Sequence, residues 1–158
     1  MKLSAYLSPD GMAIPLTSSD KTRVLEELVS LLPSARDDAT RRALLEAVVE
    51  RENRMSTGIG QGIAIPHGKS DLIPTMEISF GLAPAGVAYE ALDGEPVRIL
   101  FLLVSSPGQT GPHIQALAQI SRLLSSDVLR ERLASATEPA DVLDILRMEE
   151  AVQEESES

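Results

Sequence analysis

Residues 56–68 read Ser-Thr-Gly-Ile-Gly-Gln-Gly-Ile-Ala-Ile-Pro-His-Gly, and this stretch indicates how the middle of the chain folds. The glycines at positions 58, 60 and 62 predict a loop without bulky side chains, because a residue that lacks Cβ lets the backbone approach other groups closely. The apolar triplet that follows, residues 63–65, predicts a short buried strand. Pro66 has no N–H for a strand ladder, so we expect His67 at the end of that strand, directed away from the core.

The rest of the chain alternates between helical and strand patterns. Three strands are predicted, at residues 12–16, 76–82 and 97–104, and the last of these is almost entirely apolar, as is typical of a strand covered on both faces. Helices are predicted from Ser19 or Asp20 to about Leu32, from Asp37 or Asp38 to about Arg54, from about Pro112 to Leu124, and as shorter elements from Asp127 and Thr137. Strands separated by helices predict an α/β fold with a single mixed β-sheet flanked by helices on both faces.

Length and composition predict one domain with an acidic end. The 158 residues are 43% hydrophobic, which is enough for one substantial core. Residues 149–158 contain five glutamates and no basic residue. We therefore expect a folded domain over residues 1–148 and a disordered tail over residues 149–158.

Several broad function classes are disfavoured by charge and residue usage. The net charge is −10, which repels nucleic acids and anionic membranes. No apolar run approaches the roughly 20 residues that a membrane helix needs, and the N-terminus has no secretory signal pattern, so we expect a cytoplasmic protein without membrane insertion. The absence of cysteine excludes disulfides and thiolate metal sites.

The common catalytic motifs are also missing. Gly68-Lys69-Ser70 resembles the end of a phosphate-binding P-loop, but the glycine that this motif requires five residues earlier is Ile63. The glycine loop precedes a strand, whereas a dinucleotide-binding loop joins a strand to a helix. The two histidines, His67 and His113, have no metal-ligand spacing, and no Gly-x-Ser-x-Gly occurs. We expect no cofactor and no metal.

The chemistry that does fit an exposed histidine here is phosphoryl transfer. A neutral imidazole carries a nitrogen lone pair near pH 7 and can accept a phosphoryl group. The Gly68 N–H and the hydroxyls of Ser56 and Thr57 are candidate donors to the phosphate oxygens. A lone histidine is more often a structural residue, so the residues alone leave both interpretations of His67 open.

With its flanking residues, the segment resembles the phosphorylation-site motif of the enzyme IIA component of the bacterial phosphotransferase system, in the fructose/mannitol and nitrogen-regulatory class. That class carries an Arg-Glu pair, then Ser-Thr, a glycine-rich loop and an apolar strand that ends in Pro-His-Gly. The corresponding residues here are 51–52, 56–57, 58–62, 63–65 and 66–68. The resemblance continues through residues 92–97 and the helix at His113, and so covers nearly everything but the acidic end.

The resemblance implies roles for three residues. His67 would be the phosphorylated residue, His113 a second histidine that supports the ring or the phosphate, and Arg51 a cation beside the site. Without the resemblance, His113 would be taken as the start of a packed helical stripe. Arg51 would be taken as a solvated charge or a contact to the helix end. Lys69 and Arg54 are nearby cations, and Glu52 is expected to pair with a cation on its own helix.

The resemblance also implies a function. The chain would be a histidine phosphocarrier of the phosphoenolpyruvate-dependent phosphotransferase system. It would accept a phosphoryl group from HPr or a related carrier and pass it to a IIB component for sugar uptake. In the alternative, it is a nitrogen-regulatory IIA protein whose phosphorylation controls the binding of target proteins, without sugar transport.

Overall fold

The computed structural model describes residues 1–157, which form six β-strands and five α-helices. Two 3₁₀ turns, Leu3–Tyr6 and Pro9–Gly11, open the chain. The strands are β1 (Met12–Ala13), β2 (Gly58–Gly60), β3 (Ile63–Ala64), β4 (His67–Lys69), β5 (Met76–Val87) and β6 (Val97–Ser105). The helices are α1 (Lys21–Ser30), α2 (Asp38–Arg54), α3 (Thr110–Leu123), α4 (Asp127–Ala134) and α5 (Pro139–Glu157).

The strands form one mixed sheet, as the sequence predicts. Its order is β1-β5-β6-β3-β2, and β4 also pairs with β6. β5 and β6 are antiparallel, whereas β1 runs parallel to β5, and β3 and β4 run parallel to β6. The apolar residues of β6 alternate between two hydrophobic clusters, one beneath α1 and α2 and the other beneath α3, α4 and α5. The predicted helices on both faces of the sheet are thereby confirmed.

Pro66 interrupts a strand, but the pairing resumes after it. Ile63 pairs with Ile99 in β6, and His67 pairs with Leu103 in the same register. β3 and β4 are therefore one strand broken at residues 65–66. The expectation that His67 ends the strand is wrong: His67 is the first residue after the break, and β4 pairs with β6 alone, which leaves its other edge open.

The predicted glycine loop is a tight hairpin between β2 and β3. β2 pairs antiparallel with β3, and Gly60 and Gly62 lie at φ +98° and +79°, where side chains are rarely tolerated. Gly60 and Gly62 are explained by this turn.

The starts of α1 and α2 agree with the sequence prediction, and each of these two helices has an acidic cap. The Asp20 side chain accepts the Arg23 N–H, and the Asp37 side chain accepts the Thr40 N–H. These bonds satisfy amide groups that have no partner inside a first helical turn.

The acidic end differs from the expectation of disorder. Its described part, residues 149–157, continues α5, and Ser158 lies outside the described residues. Glu150 is buried and accepts hydrogen bonds from the Ser4 hydroxyl at 2.5 Å and from the Ser4 amide at 3.4 Å. The helix is therefore held by a buried glutamate that bonds to Ser4 near the N-terminus of the chain.

Candidate functional site

The pleat of β4 directs two of its side chains toward α3. His67 pairs with Leu103 and Lys69 pairs with Ser105, and paired residues of neighbouring strands point to the same face. Leu103 belongs to the cluster beneath α3, α4 and α5, so the His67 imidazole lies on the α3 side of the sheet.

A backbone carbonyl fixes the tautomer of His67. The Nδ1 atom lies 2.9 Å from the carbonyl oxygen of Ile65. A carbonyl can only accept, so Nδ1 must carry the proton. In the neutral ring, Nε2 is then unprotonated and holds the lone pair. Ile65 and His67 are separated only by Pro66, and the turn at Pro66 brings the His67 ring back to the Ile65 carbonyl.

The second histidine of the chain lies beside the first. His113 is in the first turn of α3, and its ring centroid is 5.5 Å from that of His67, with the ring planes at 67°. The side chain is buried, and its Nδ1 is 2.5 Å from the hydroxyl oxygen of Ser105, the last residue of β6. The structure thus brings together two residues that are 46 positions apart in the chain.

Both rings open into a cavity of about 420 Å³ at the free edge of β4. Its walls come from α2, β4 and the first turn of α3. The lining residues are Ala47, Glu50, Arg51, Arg54, His67, Gly68, Lys69 and His113.

Cations outnumber anions in this lining. Three basic side chains, Arg51, Arg54 and Lys69, face one carboxylate, Glu50. Glu50 pairs with Arg54 at 3.4 Å, while Lys69 Nζ donates to a Thr110 hydroxyl and has no carboxylate partner among residues 1–157. In a chain of net charge −10, this cavity is a local site of positive potential.

The environment keeps both imidazoles neutral at pH 7. Burial lowers the pKa of His67 below 6.5, the Arg51 charge adds to this effect, and the Ile65 carbonyl opposes it. Burial also lowers the pKa of His113 to about 4, with contributions from the charge that His67 gains when it is protonated and from the charge of Lys69. A neutral ring is the form that can act as a nucleophile.

Arg51 serves the helix end and the cavity at once. Its Nη1 donates to the carbonyl oxygen of Met55 at 3.0 Å, just beyond the end of α2. The contact to a helix end expected from the residues alone is therefore present. The same side chain lines the cavity beside His67, where the resemblance places a cation.

Two of the three predicted phosphate ligands lie outside this cavity. Ser56 and Thr57 are not part of the cavity lining; the Ser56 hydroxyl accepts the Gly58 N–H, and the Thr57 hydroxyl is buried against Glu52 and Tyr89. Their hydroxyls bond to neighbouring groups, so the structure does not bring these two predicted phosphate ligands to the cavity that His67 lines.

Gly68 lies in the cavity wall, but its amide points the other way. Leu103 N–H donates to the Pro66 carbonyl, and Ser70 N–H donates to the Ser105 carbonyl. Every second residue of a strand presents its N–H and C=O to the same edge. Pro66 and Ser70 both bond to β6, so the N–H of Gly68, which lies two residues from each, also points to β6. A Cβ at Gly68 would lie 3.3 Å from the backbone of α2, so this glycine allows close packing of strand and helix.

Glu52 has a partner that local sequence did not indicate. It is buried and pairs with Lys21 of α1 at 2.8 Å, not with a cation on its own helix. It also accepts hydrogen bonds from the Thr57 amide at 2.9 Å and from the hydroxyl of Tyr89 at 3.0 Å. Burial raises the pKa of Glu52, but the bonds from Lys21 and Thr57 outweigh it and lower the pKa overall.

Sequence reasoning missed Ser105 and the Ile65 carbonyl. Ser105 is a polar residue at the end of an otherwise apolar buried strand, and this contrast was a usable signal. The Ile65 carbonyl leaves no signal in the side-chain pattern, because any residue at that position supplies the same oxygen.

A second, larger cavity, of about 620 Å³, lies between α1 and α2. It contains neither histidine, and its lining mixes arginines with carboxylates. Among residues 1–157, no three side chains of the metal-binding types come together. None of the helices within that range combines the length and apolar character that a bilayer crossing needs.

The chain is similar to proteins of one family, both in sequence and in fold. Residues 5–148 match the family described as "Phosphoenolpyruvate-dependent sugar phosphotransferase system, EIIA 2". The chain is 36% identical over 146 residues to the PTS system fructose-specific EIIABC component of Bacillus subtilis (strain 168), which covers 92% of this chain but 23% of that protein. It is 30% identical over 151 residues to a nitrogen regulatory protein of Bradyrhizobium diazoefficiens, with 94% and 96% covered.

Among solved structures, the chain is similar to the nitrogen regulatory protein IIA-Ntr of Neisseria meningitidis. The TM-score is 0.83 at 29% identity, with 91% of this chain and 98% of that chain covered.

Proposed function

The chain belongs to the EIIA 2 family of the phosphoenolpyruvate-dependent sugar phosphotransferase system, and we propose that it carries a phosphoryl group on Nε2 of His67. The strongest support for Nε2 as the phosphorylated atom comes from one hydrogen bond. The hydrogen bond from Nδ1 to the Ile65 carbonyl leaves the lone pair on Nε2, in a ring that lines a cationic cavity.

The transfer needs no metal and no external base. The Nε2 lone pair of His67 forms the new nitrogen–phosphorus bond while the bond from phosphorus to a nitrogen of the donor imidazole breaks. The electron pair of the broken bond stays on the donor nitrogen. His67 keeps its Nδ1 proton, so its ring becomes positively charged, and the Ile65 carbonyl stabilises that charge. The reverse sequence of events passes the group to the next protein.

The surrounding charges suit a phosphoryl group that must arrive and leave. Arg51 and Lys69 can neutralise its oxygens, whereas the buried and neutral His113 adds a dipole and no charge. Positioning and electrostatic stabilisation provide most of the catalysis in phosphoryl transfer. With two cations and a neutral ring around it, the phosphoryl group would be stabilised enough to bind, but not so strongly that its transfer to the next protein is prevented.

The partners follow from the reaction. The donor is an HPr-like histidine phosphocarrier, supplied in turn from phosphoenolpyruvate by an upstream enzyme. The acceptor is a IIB component that phosphorylates a sugar during uptake, and this is the role that the fructose-specific relative favours. The chain is then a cytoplasmic phosphotransferase that turns over no free small molecule by itself.

A nitrogen-regulatory role is the second candidate. It is favoured by the similarity to a nitrogen regulatory protein over nearly the whole length of that relative, and by the TM-score of 0.83 to IIA-Ntr. In this role the phosphate on His67 would change the charge of the cavity and thereby control the binding of a target protein.

One experiment tests the shared chemistry and separates the roles. The protein is incubated with phosphoenolpyruvate, enzyme I and HPr, or with their nitrogen-branch counterparts, and its mass is measured before and after acid. We expect an acid-labile gain of one phosphoryl group that is lost in His67→Ala, while His113→Ala is still labelled but more slowly. Faster labelling by one set of donors assigns the branch. Full labelling of a folded His67→Ala would refute the proposal.

A further inference from the structure

A buried serine contacts the supporting histidine and has no role so far. Ser105 is 0% exposed, and it follows a run of buried apolar residues in β6. Within residues 1–157, its hydroxyl makes one hydrogen bond, to Nδ1 of His113 at 2.5 Å. A buried hydroxyl with a single partner restricts where its proton can be.

Two proton arrangements are possible for this pair, and they differ in cost. If Nδ1 of His113 donated to Ser105, the hydroxyl hydrogen would have no acceptor at a side chain without solvent exposure, and a buried donor without a partner is unfavourable. If Ser105 donates to Nδ1, its hydrogen is satisfied. Nδ1 is then the acceptor, and the proton of the neutral ring must lie on Nε2.

We propose that Ser105 is a positioning residue that fixes His113 in the Nε2–H tautomer, so that His113 offers an uncharged donor to a phosphoryl group on His67. The proposal rests on the proposed function of His67. The opposite tautomer would direct a lone pair at the phosphoryl oxygens and repel them. The ring centroids are 5.5 Å apart and both rings line the same cavity, so a phosphoryl group at the edge of the His67 ring lies near His113.

The two histidines should therefore have opposite tautomers in the unphosphorylated protein. His67 carries its proton on Nδ1 because of the Ile65 carbonyl, and His113 carries it on Nε2 because of the Ser105 hydroxyl. Since the chain has two histidines, long-range ¹H–¹⁵N correlation spectra give four ring-nitrogen signals to assign. A protonated Nδ1 on His113 at pH 7 would overturn the proposal, whether or not His67 can be phosphorylated.

Substitution separates positioning from packing. In Ser105→Ala we expect His113 to populate both tautomers and phosphoryl transfer to slow by up to about tenfold, the limit set by complete loss of one hydrogen bond to a charged group. Ser105→Thr keeps the hydroxyl and should restore the Nε2–H tautomer. Ser79→Ala is the matched control, because Ser79 is also fully buried, with its hydroxyl bonded at 2.8 Å to the Leu28 carbonyl. It should leave the tautomers and the transfer rate unchanged.

A double substitution tests whether Ser105 acts through His113. In a His113→Ala background, Ser105→Ala should cause no further slowing, because the donor that it positions is gone. An equal slowing in both backgrounds would overturn the proposal. The outcome is distinct from failure of the proposed function, which would appear as no labelling of the unmodified protein.

Discussion

Acid should destabilise this protein through His113, and the size of the effect can be worked out from its environment. Burial lowers the pKa of His113 to about 4, whereas an unfolded histidine titrates near 6.5. Between these values the unfolded chain binds a proton that the native ring does not. The free energy of unfolding therefore falls as the pH drops below 6.5, and the contribution is fully lost below pH 4.

The expected loss between pH 7.5 and pH 5.5 is about 1.4 kcal/mol from this ring alone, by linkage between the two pKa values. pH 5.5 is a practical lower limit because the isoelectric point is near 4.6. Urea unfolding at both pH values measures the loss. The matched variant is His113→Asn, whose amide oxygen can accept the Ser105 hydroxyl but does not titrate.

Because the two proteins differ only at residue 113, the contributions of the other titrating groups, including His67, cancel when their pH dependences are subtracted. We expect the free energy of unfolding of the unmodified protein to fall by about 1.4 kcal/mol more than that of His113→Asn over this pH range. Parallel losses in the two proteins would show that His113 titrates normally, and would refute the argument that its ring is buried and neutral.

Three further predictions concern stability. Gly58→Ala should lower the free energy of unfolding by about 1–3 kcal/mol, because the new Cβ would lie 2.9 Å from a backbone atom of the facing loop. Gly111→Ala is the control and should leave it unchanged, since a Cβ there would have nothing within 4 Å; thermal unfolding compares the two variants. Glu52→Gln should lower the free energy of unfolding, measured by urea unfolding, by about 3 kcal/mol, since it leaves Lys21 without its buried partner. A decrease of less than about 1 kcal/mol would contradict this. Glu150→Ala should increase amide hydrogen exchange in the last turns of α5, and unchanged protection there would show that the helix stands without this contact.

Local signals in the sequence were sufficient for the helices and the long strands, but not for the short strands β2 and β4. The caps Asp20 and Asp37 and the apolar run of β6 each act within a few residues, so the starts of α1 and α2 and the central strand could be predicted. The order of the strands could not be predicted, because it depends on pairings between distant segments.

The same distinction applies to the site. His67 could be found because its motif is contiguous, and His113 and Arg51 followed from the resemblance to a family. The direction of a side chain or an amide was not predictable: Thr57 faces a buried glutamate, and the Gly68 N–H faces the β6 ladder. Both depend on partners that are distant in sequence.

The helical acidic end has the same explanation. Its composition is typical of disorder, but composition does not reveal that Ser4 lies within reach of Glu150. One buried contact across the length of the chain is outside any local pattern.

The most direct test of the account is the position of the phosphoryl group on the His67 ring. The protein is labelled with ¹⁵N, phosphorylated by its carrier, and examined for coupling between phosphorus and each ring nitrogen. We predict coupling to Nε2, with Nδ1 still protonated against the Ile65 carbonyl. Phosphorus on Nδ1, or on any residue other than His67, would contradict the account.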